Sequence, residues 1–170
     1  MNSLERLAEL LREQGGLVAD LLAPAGTPPR TEDGPAQLAA AGPRVEGRRE
    51  EYELLIEAIY EGYLLHYGKA RLVHASEADL GLLAGDRLYA IGLSRLVHIG
   101  DVAAVAELAD VITLTALAQG DGQHELAQTM WTAGARAVGW GASDDYAHAK
   151  RLAFAGEPSA LEAMRASACS

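Results

Sequence analysis

Apolar residues return along this chain at intervals of three and four, the period of a helix that buries one face. Leu4, Leu7, Leu11, Val18 and Leu21 make the first such series, and Ser3 stands before it as a candidate N-cap. Gly15 and Gly16 interrupt the run. Each costs about 1 kcal/mol relative to Ala inside a helix, so a kink or a split is expected there, with the end at Pro24. From residue 23 to 44 the chain carries Pro24, Pro28, Pro29, Pro35 and Pro43 with interspersed glycines, which leaves room for one helical turn at 36–41. The pattern therefore predicts three parts: a helical arm at 1–22, a Pro/Gly-rich linker at 23–44 and a helical bundle at 45–170. An arm so tethered can dock on its own chain or on another.

The bundle begins near Arg48 with REEYELLIEAIYEGYLLHYG, in which Leu55, Ile59, Tyr63 and His66 share a face and Gly68 is the stop. Its first turns are acidic, as the helix dipole favours. Ser76 with Asp79 reads as the capping box of the next helix, which runs to Gly100. Asp101 caps another that closes at Gly120. A further amphipathic stretch covers 124–140, Ser143 caps a shorter helix ending at Phe154, and Glu157 with Pro158 starts the last. No segment alternates with period two for long enough to form a sheet. The expected fold is all-α, a helical bundle of about six to seven helices with a tethered N-terminal helix.

Composition sharpens this. Apolar residues make up 49% of the chain but aromatics only 5%, and a net charge of −10 accompanies a single cysteine. Ala and Leu dominate the apolar set, which favours helices packed closely over small side chains. The acidic balance repels a phosphate backbone, so nucleic acid is not an expected partner. With Cys169 alone there is no disulfide framework, and a reducing, cytoplasmic setting is the natural expectation. The opening MNSLERLAELLREQ is too charged for a signal peptide. Asp86, Arg87, Arg95, Asp101, Glu107 and Asp110 punctuate the most hydrophobic half, so no transmembrane segment is expected. Membrane contact would be peripheral or through a partner.

Asp86 stands among Leu82, Leu83, Tyr89, Ala90 and Leu93, a setting that would carry it into the core. A buried carboxylate needs a donor, and Tyr89, His66, Arg87 or a backbone amide could supply it. His66, Asp86 and Tyr89 are thus a candidate buried polar cluster. The five histidines form no i,i+4 pair and no Glu-x-x-His pattern, so no metal ligands are assigned. Asp144 and Asp145 fit a helix start, and Glu107 with Asp110 could join them at a metal only if the fold brought them close. No phosphate-binding glycine loop, nucleophile elbow or nucleophile-base pair is present, so neither a catalytic residue nor a cofactor is assigned. Tyr60, Tyr63 and Tyr67 form a stripe suited to the core or to a partner helix. Together with Leu4, Leu7, Leu11, Val18 and Leu21 they are the candidate partner interface.

The run ADLGLLAGDRLYAIGLSRLVHIGDVAAVAELADVITLTALAQGDG, with Leu82 to Asp86 and Leu108 to Gly120 as its matching parts, resembles the middle of the all-α isoprenyl diphosphate synthase fold. YLLHYGKARLVH, residues 63–74, is similar in style to the non-catalytic small subunits of two-component heptaprenyl diphosphate synthases. The resemblance covers roughly residues 52–122. The family's catalytic subunits hold Mg²⁺ and diphosphate with two DDxxD-type motifs, and neither occurs here: Asp144, Asp145, Tyr146, Ala147, His148 lacks the closing aspartate. What the resemblance implies is a subunit without its own active site, packed on a catalytic partner. The expectation is a non-catalytic accessory subunit bound to a larger protein or to copies of itself. An assembly subunit of a larger, membrane-associated complex is the first alternative, and an enzyme with a site around His66, Asp86 and Tyr89 the second.

Overall fold

The computed structural model describes residues 2–22 and 34–169. It is an all-α bundle, with nine α-helices among the described residues. They are α1 Ser3–Gln14, α2 Leu17–Asp20, α3 Pro35–Ala40, α4 Arg49–Tyr67, α5 Ala78–Ile99, α6 Val102–Gly120, α7 His124–Trp140, α8 Asp144–Phe154 and α9 Ala160–Cys169, with a 3₁₀ turn at Pro43–Arg48 before α4. The only extended pairing among them is the isolated bridge between Leu22 and Val73.

The core is divided by α4. On one side Leu55, Ile56, Ile59 and Tyr63 pack with Leu108, Val111, Met130, Val138 and Met164 from α6, α7 and α9. On the other, Ala58 joins Leu4, Leu7 and Leu11 of α1 and Ala84, Leu88 and Ile91 of α5. A helix covered on two sides has little face left for charge. That is why two of its glutamates, Glu57 and Glu61, lie at 1% and 0% exposure.

α5 meets α4 through its small residues. Its buried face is Gly81, Ala84, Gly85, Leu88, Ile91, Gly92 and Leu96. A Cβ on Gly62 of α4 would lie 2.9 Å from the Gly85 carbonyl oxygen, and one on Gly92 would lie 2.7 Å from that of Leu55. Side chains at these points would push the two backbones apart. The glycine face turns inward, and Leu82 and Leu83 turn outward with 44% and 56% of their surface exposed.

The helical arm is part of the fold. Its N-cap is Asn2 rather than Ser3: the Asn2 side chain accepts the Glu5 N–H at 2.8 Å and Glu5 accepts the Asn2 N–H at 2.8 Å, a capping box. Ser3 is buried instead. The predicted break falls at Gly15 and Gly16, which take φ of +65° and +78° and separate α1 from α2. Burying Leu4, Leu7 and Leu11 contributes about 5–9 kcal/mol before the entropy of ordering the arm is subtracted. Residues 34–44, read as the end of a linker, hold α3 with Ala36 and Ala39 fully buried against α4 and α7. Residues 23–33 of that expected linker lie outside the described residues. Smaller differences occur at helix starts, where α5 begins after Glu77 with no side-chain cap and α9 begins at Ala160, beyond Pro158.

Candidate functional site

The densest polar assembly lies where α1, α3 and α4 meet the segment after α4. Glu53, Glu57 and Glu61 follow one another at i,i+4 along α4, an arrangement that repels itself unless cations face it. Arg71 faces it. Its Nη2 donates to Glu57 at 2.8 Å and its Nε to Glu61 at 3.1 Å, and its guanidinium lies 5.2 Å from the Tyr60 ring centre. Glu61 also accepts the backbone N–H groups of Arg71 at 2.7 Å and Leu72 at 2.6 Å. One carboxylate therefore holds the whole turn after α4. Ser3 donates to Glu57 at 3.3 Å, Gln37 donates to Ser3 and Glu53, and Arg6 pairs with Glu50 and Glu53 at 2.9 and 3.3 Å. Burial works against the charge on Arg71, but the two glutamates outweigh it and raise its pKa. At its centre Glu57, Glu61 and Arg71 satisfy one another, as in an architectural network, while at the rim Arg6 Nε and Gln37 Oε1 are buried without a partner.

Glu57, Glu61 and Arg71 were not singled out from the sequence. The signal that would have found them is the acidic i,i+4 series inside LLIEAIYEGY, which no helix flanked by apolar residues on both sides keeps without a buried cation.

His66, Asp86 and Tyr89 do come together, at the edge of the α4–α5 pair. The His66 and Tyr89 rings stack with centroids 5.3 Å apart, and His66 Nε2 lies 3.2 Å from Asp86 Oδ1. That contact is close but misaligned, since Nε2 makes no hydrogen bond. Asp86 is not buried: 68% of its side chain is exposed, because the glycine face of α5 and not the Leu82/Leu83 side points inward. Desolvation raises the Tyr89 pKa, helped by Tyr67, Tyr63 and Asp86, so its hydroxyl stays protonated and is a poor general base. Among the described residues no group of three or more potential metal ligands converges. Glu107 and Asp110 do come close together, but around Lys150, whose Nζ lies 2.6 and 2.7 Å from them. Burial opposes the lysine charge, and the two carboxylates outweigh it and raise its pKa.

The candidate interface residues divide. Leu4, Leu7, Leu11 and Val18 are buried inside their own chain and Leu21 is half-buried, because the face they form is covered by α4 and α5. Tyr60 and Tyr63 pack on Trp131 of α7 with centroids 5.0 and 5.3 Å apart, and Tyr63 accepts a hydrogen bond from Gln119 at 2.7 Å. Tyr67 keeps 41% of its surface exposed. Further apolar side chains left exposed include Leu82, Leu83, Val97, Val102 and Leu117 on α5 and α6, with Leu17, Trp140 and Phe154 scattered on α2, α7 and α8. Despite Glu107 and Asp110, α6 has the length and hydropathy of a bilayer-crossing helix, with a mean hydropathy of 1.5 and only 33% of that window buried.

Two open clefts stand out on the described surface. One, of about 490 Å³, lies between the Pro43–Arg48 turn and the α5–α6 corner and is lined by Arg44, Arg48, Tyr52 and Asp101. Tyr52 donates to Asp101 at 2.6 Å, and Asp101 caps α6 by accepting the Ala104 N–H at 3.0 Å. The other, of about 400 Å³, runs beside His66, Lys69, His74 and Glu77.

Compared with family models, with curated proteins and with solved structures, the chain matches none of them.

Proposed function

We propose that this chain is a cytoplasmic, non-catalytic accessory subunit that packs on a larger protein through the outer face of α6. The observation that carries the reading is that uncovered face: Val102 is 75% exposed and Leu117 50%, while Glu107 and Asp110 are tied to Lys150 and leave the rest of the stripe almost free of charge. The exposed positions between Val102 and Leu117 on this face are Ala103, Ala106, Ala109 and Thr113, small side chains that let a partner helix approach closely. The arm, Tyr60 and Tyr63 pack into the chain's own core and Tyr67 alone of the three tyrosines stays exposed, which moves the proposed contact from those residues to α6. The resemblance of residues 52–122 to the isoprenyl diphosphate synthase fold, and of residues 63–74 to the small subunits of two-component synthases, makes a polyprenyl diphosphate synthase the first partner to try.

Size and mass of the protein drawn from native extracts provide the test. We expect a complex with a larger polypeptide, lost in Leu117→Glu with the helical circular dichroism unchanged. A stable monomer that never co-purifies with a larger chain would overturn the reading. A second reading is supported by the bilayer-like length and hydropathy of α6: an assembly subunit whose partner is itself embedded in a membrane. Membrane-complex subunits in the co-purified material would favour it over a prenyl synthase.

A further inference from the structure

We propose that the groove beneath α1 is a helix-docking site that also accepts α1 from a second copy of this chain, so that two copies exchange their N-terminal arms. The inference is independent of the α6 reading and uses the opposite side of α4.

Three features point to it. First, α1 is locally complete: the Asn2–Glu5 capping box starts it and Gly15 ends it, so it stays a helix wherever it docks. Second, it is held almost entirely by side chains meeting the groove. Leu4, Leu7 and Leu11 enter an apolar floor made by Ala58, Ala84, Leu88 and Ile91. At the rim Arg6 meets Glu50 and Glu53, and Ser3 meets Glu57. The acidic rim selects a helix with an arginine beside its leucines, and in a chain of net charge −10 the α1 sequence LERLAELL meets that need. Among the described residues the backbone tie beyond the arm itself is the His74 N–H to the Leu21 carbonyl, with the neighbouring Leu22–Val73 bridge. Third, eleven residues, 23–33, with Pro24, Pro28 and Pro29 among them, separate the arm from the rest of the described chain. A connection of that length reaches at most about 40 Å, so the arm of one copy can enter the groove of another only where the two lie side by side. In the exchanged pair each groove regains every contact it had, so protein concentration sets the balance.

The full chain carrying C169S is prepared in two forms, R6C and E53C, which are mixed and treated with a short bismaleimide. Cross-chain product should grow with concentration from about 20 μM to about 1 mM and approach half of the chains at the upper end. A mixture of R6C with D145C, whose second thiol lies far from the groove, should give none. A single chain carrying both R6C and E53C should cross-link internally at every concentration. Cross-chain yield no greater than the D145C control across that range overturns the proposal. Failure of the internal cross-link overturns it too, because α1 would then not occupy the groove.

Discussion

Replacing Arg71 by methionine tests whether the buried network is formed as described. The substitution keeps most of the side chain's apolar stem but removes the cation that serves Glu57 and Glu61, both essentially without solvent contact. Glu61 would still accept the backbone N–H groups of residues 71 and 72, whereas Glu57 would keep only Ser3 and Gln37. Breaking a buried pair from one side costs about 3–5 kcal/mol, a large part of the 5–15 kcal/mol that holds a typical domain. With a urea slope of about 2 kcal/mol per M, the unfolding midpoint should fall by about 2 M, read by far-ultraviolet circular dichroism. Glu57→Met together with Arg71→Met removes charge from both sides and leaves Glu61 with its backbone donors. The double variant should therefore be destabilised by less than the sum of the single changes, with a coupling of about 2 kcal/mol. A loss under about 1 kcal/mol for Arg71→Met, or strictly additive effects, would refute the reasoning and place the three side chains in water.

Four further outcomes follow from the packing. Gly92→Ala should cost about 1–3 kcal/mol in the same urea assay, because its Cβ meets the Leu55 carbonyl oxygen of the facing backbone; a neutral result would mean that α4 and α5 are not in close approach. Asp86→Ala should stay within about 0.5 kcal/mol of the parent, since the carboxylate is mostly in solvent, and a large loss would place it in the core after all. At Asp101 burial raises the pKa, but the Tyr52 hydroxyl, the Ala104 N–H and Arg44 outweigh it and hold the carboxyl below its usual range. Its stabilisation is therefore complete above about pH 4 to 5 and is lost as the pH falls below the ordinary carboxylate value, so the stability gap to Asp101→Asn should shrink in acid and stay flat at neutral pH. Its partner Tyr52 is pushed up to about 12, first by burial and then by the hydrogen bond to Asp101. Ultraviolet titration should show one tyrosine, absent in Tyr52→Phe, ionising near that value, with stability falling as the pH rises from about 10 towards it.

The helices were legible in the chain because each carries its own punctuation. The Asp101 and Ser143 caps and the Gly68, Gly100 and Gly141 ends lie within a turn of the residues they serve, and a period of 3.6 is visible over any two turns. Which face of each helix turns inward was less legible. In α5 the Leu82–Leu83 pair marks the core side by hydrophobicity alone, but a glycine face lets two backbones approach, and whether that face is used depends on Gly62 lying opposite on another helix. Asp86 went to solvent with the leucines for the same reason. The pairing of Glu57 and Glu61 with Arg71 joins residues 10 and 14 positions apart across a helix end, and burial from two sides makes it necessary. Local periodicity thus settles what is helical, whereas the facing partner settles what is buried. The apolar side of the arm finds its partner within the chain, whereas α6 buries Leu108, Val111 and Leu114 and leaves Val102 and Leu117 on its outer face uncovered.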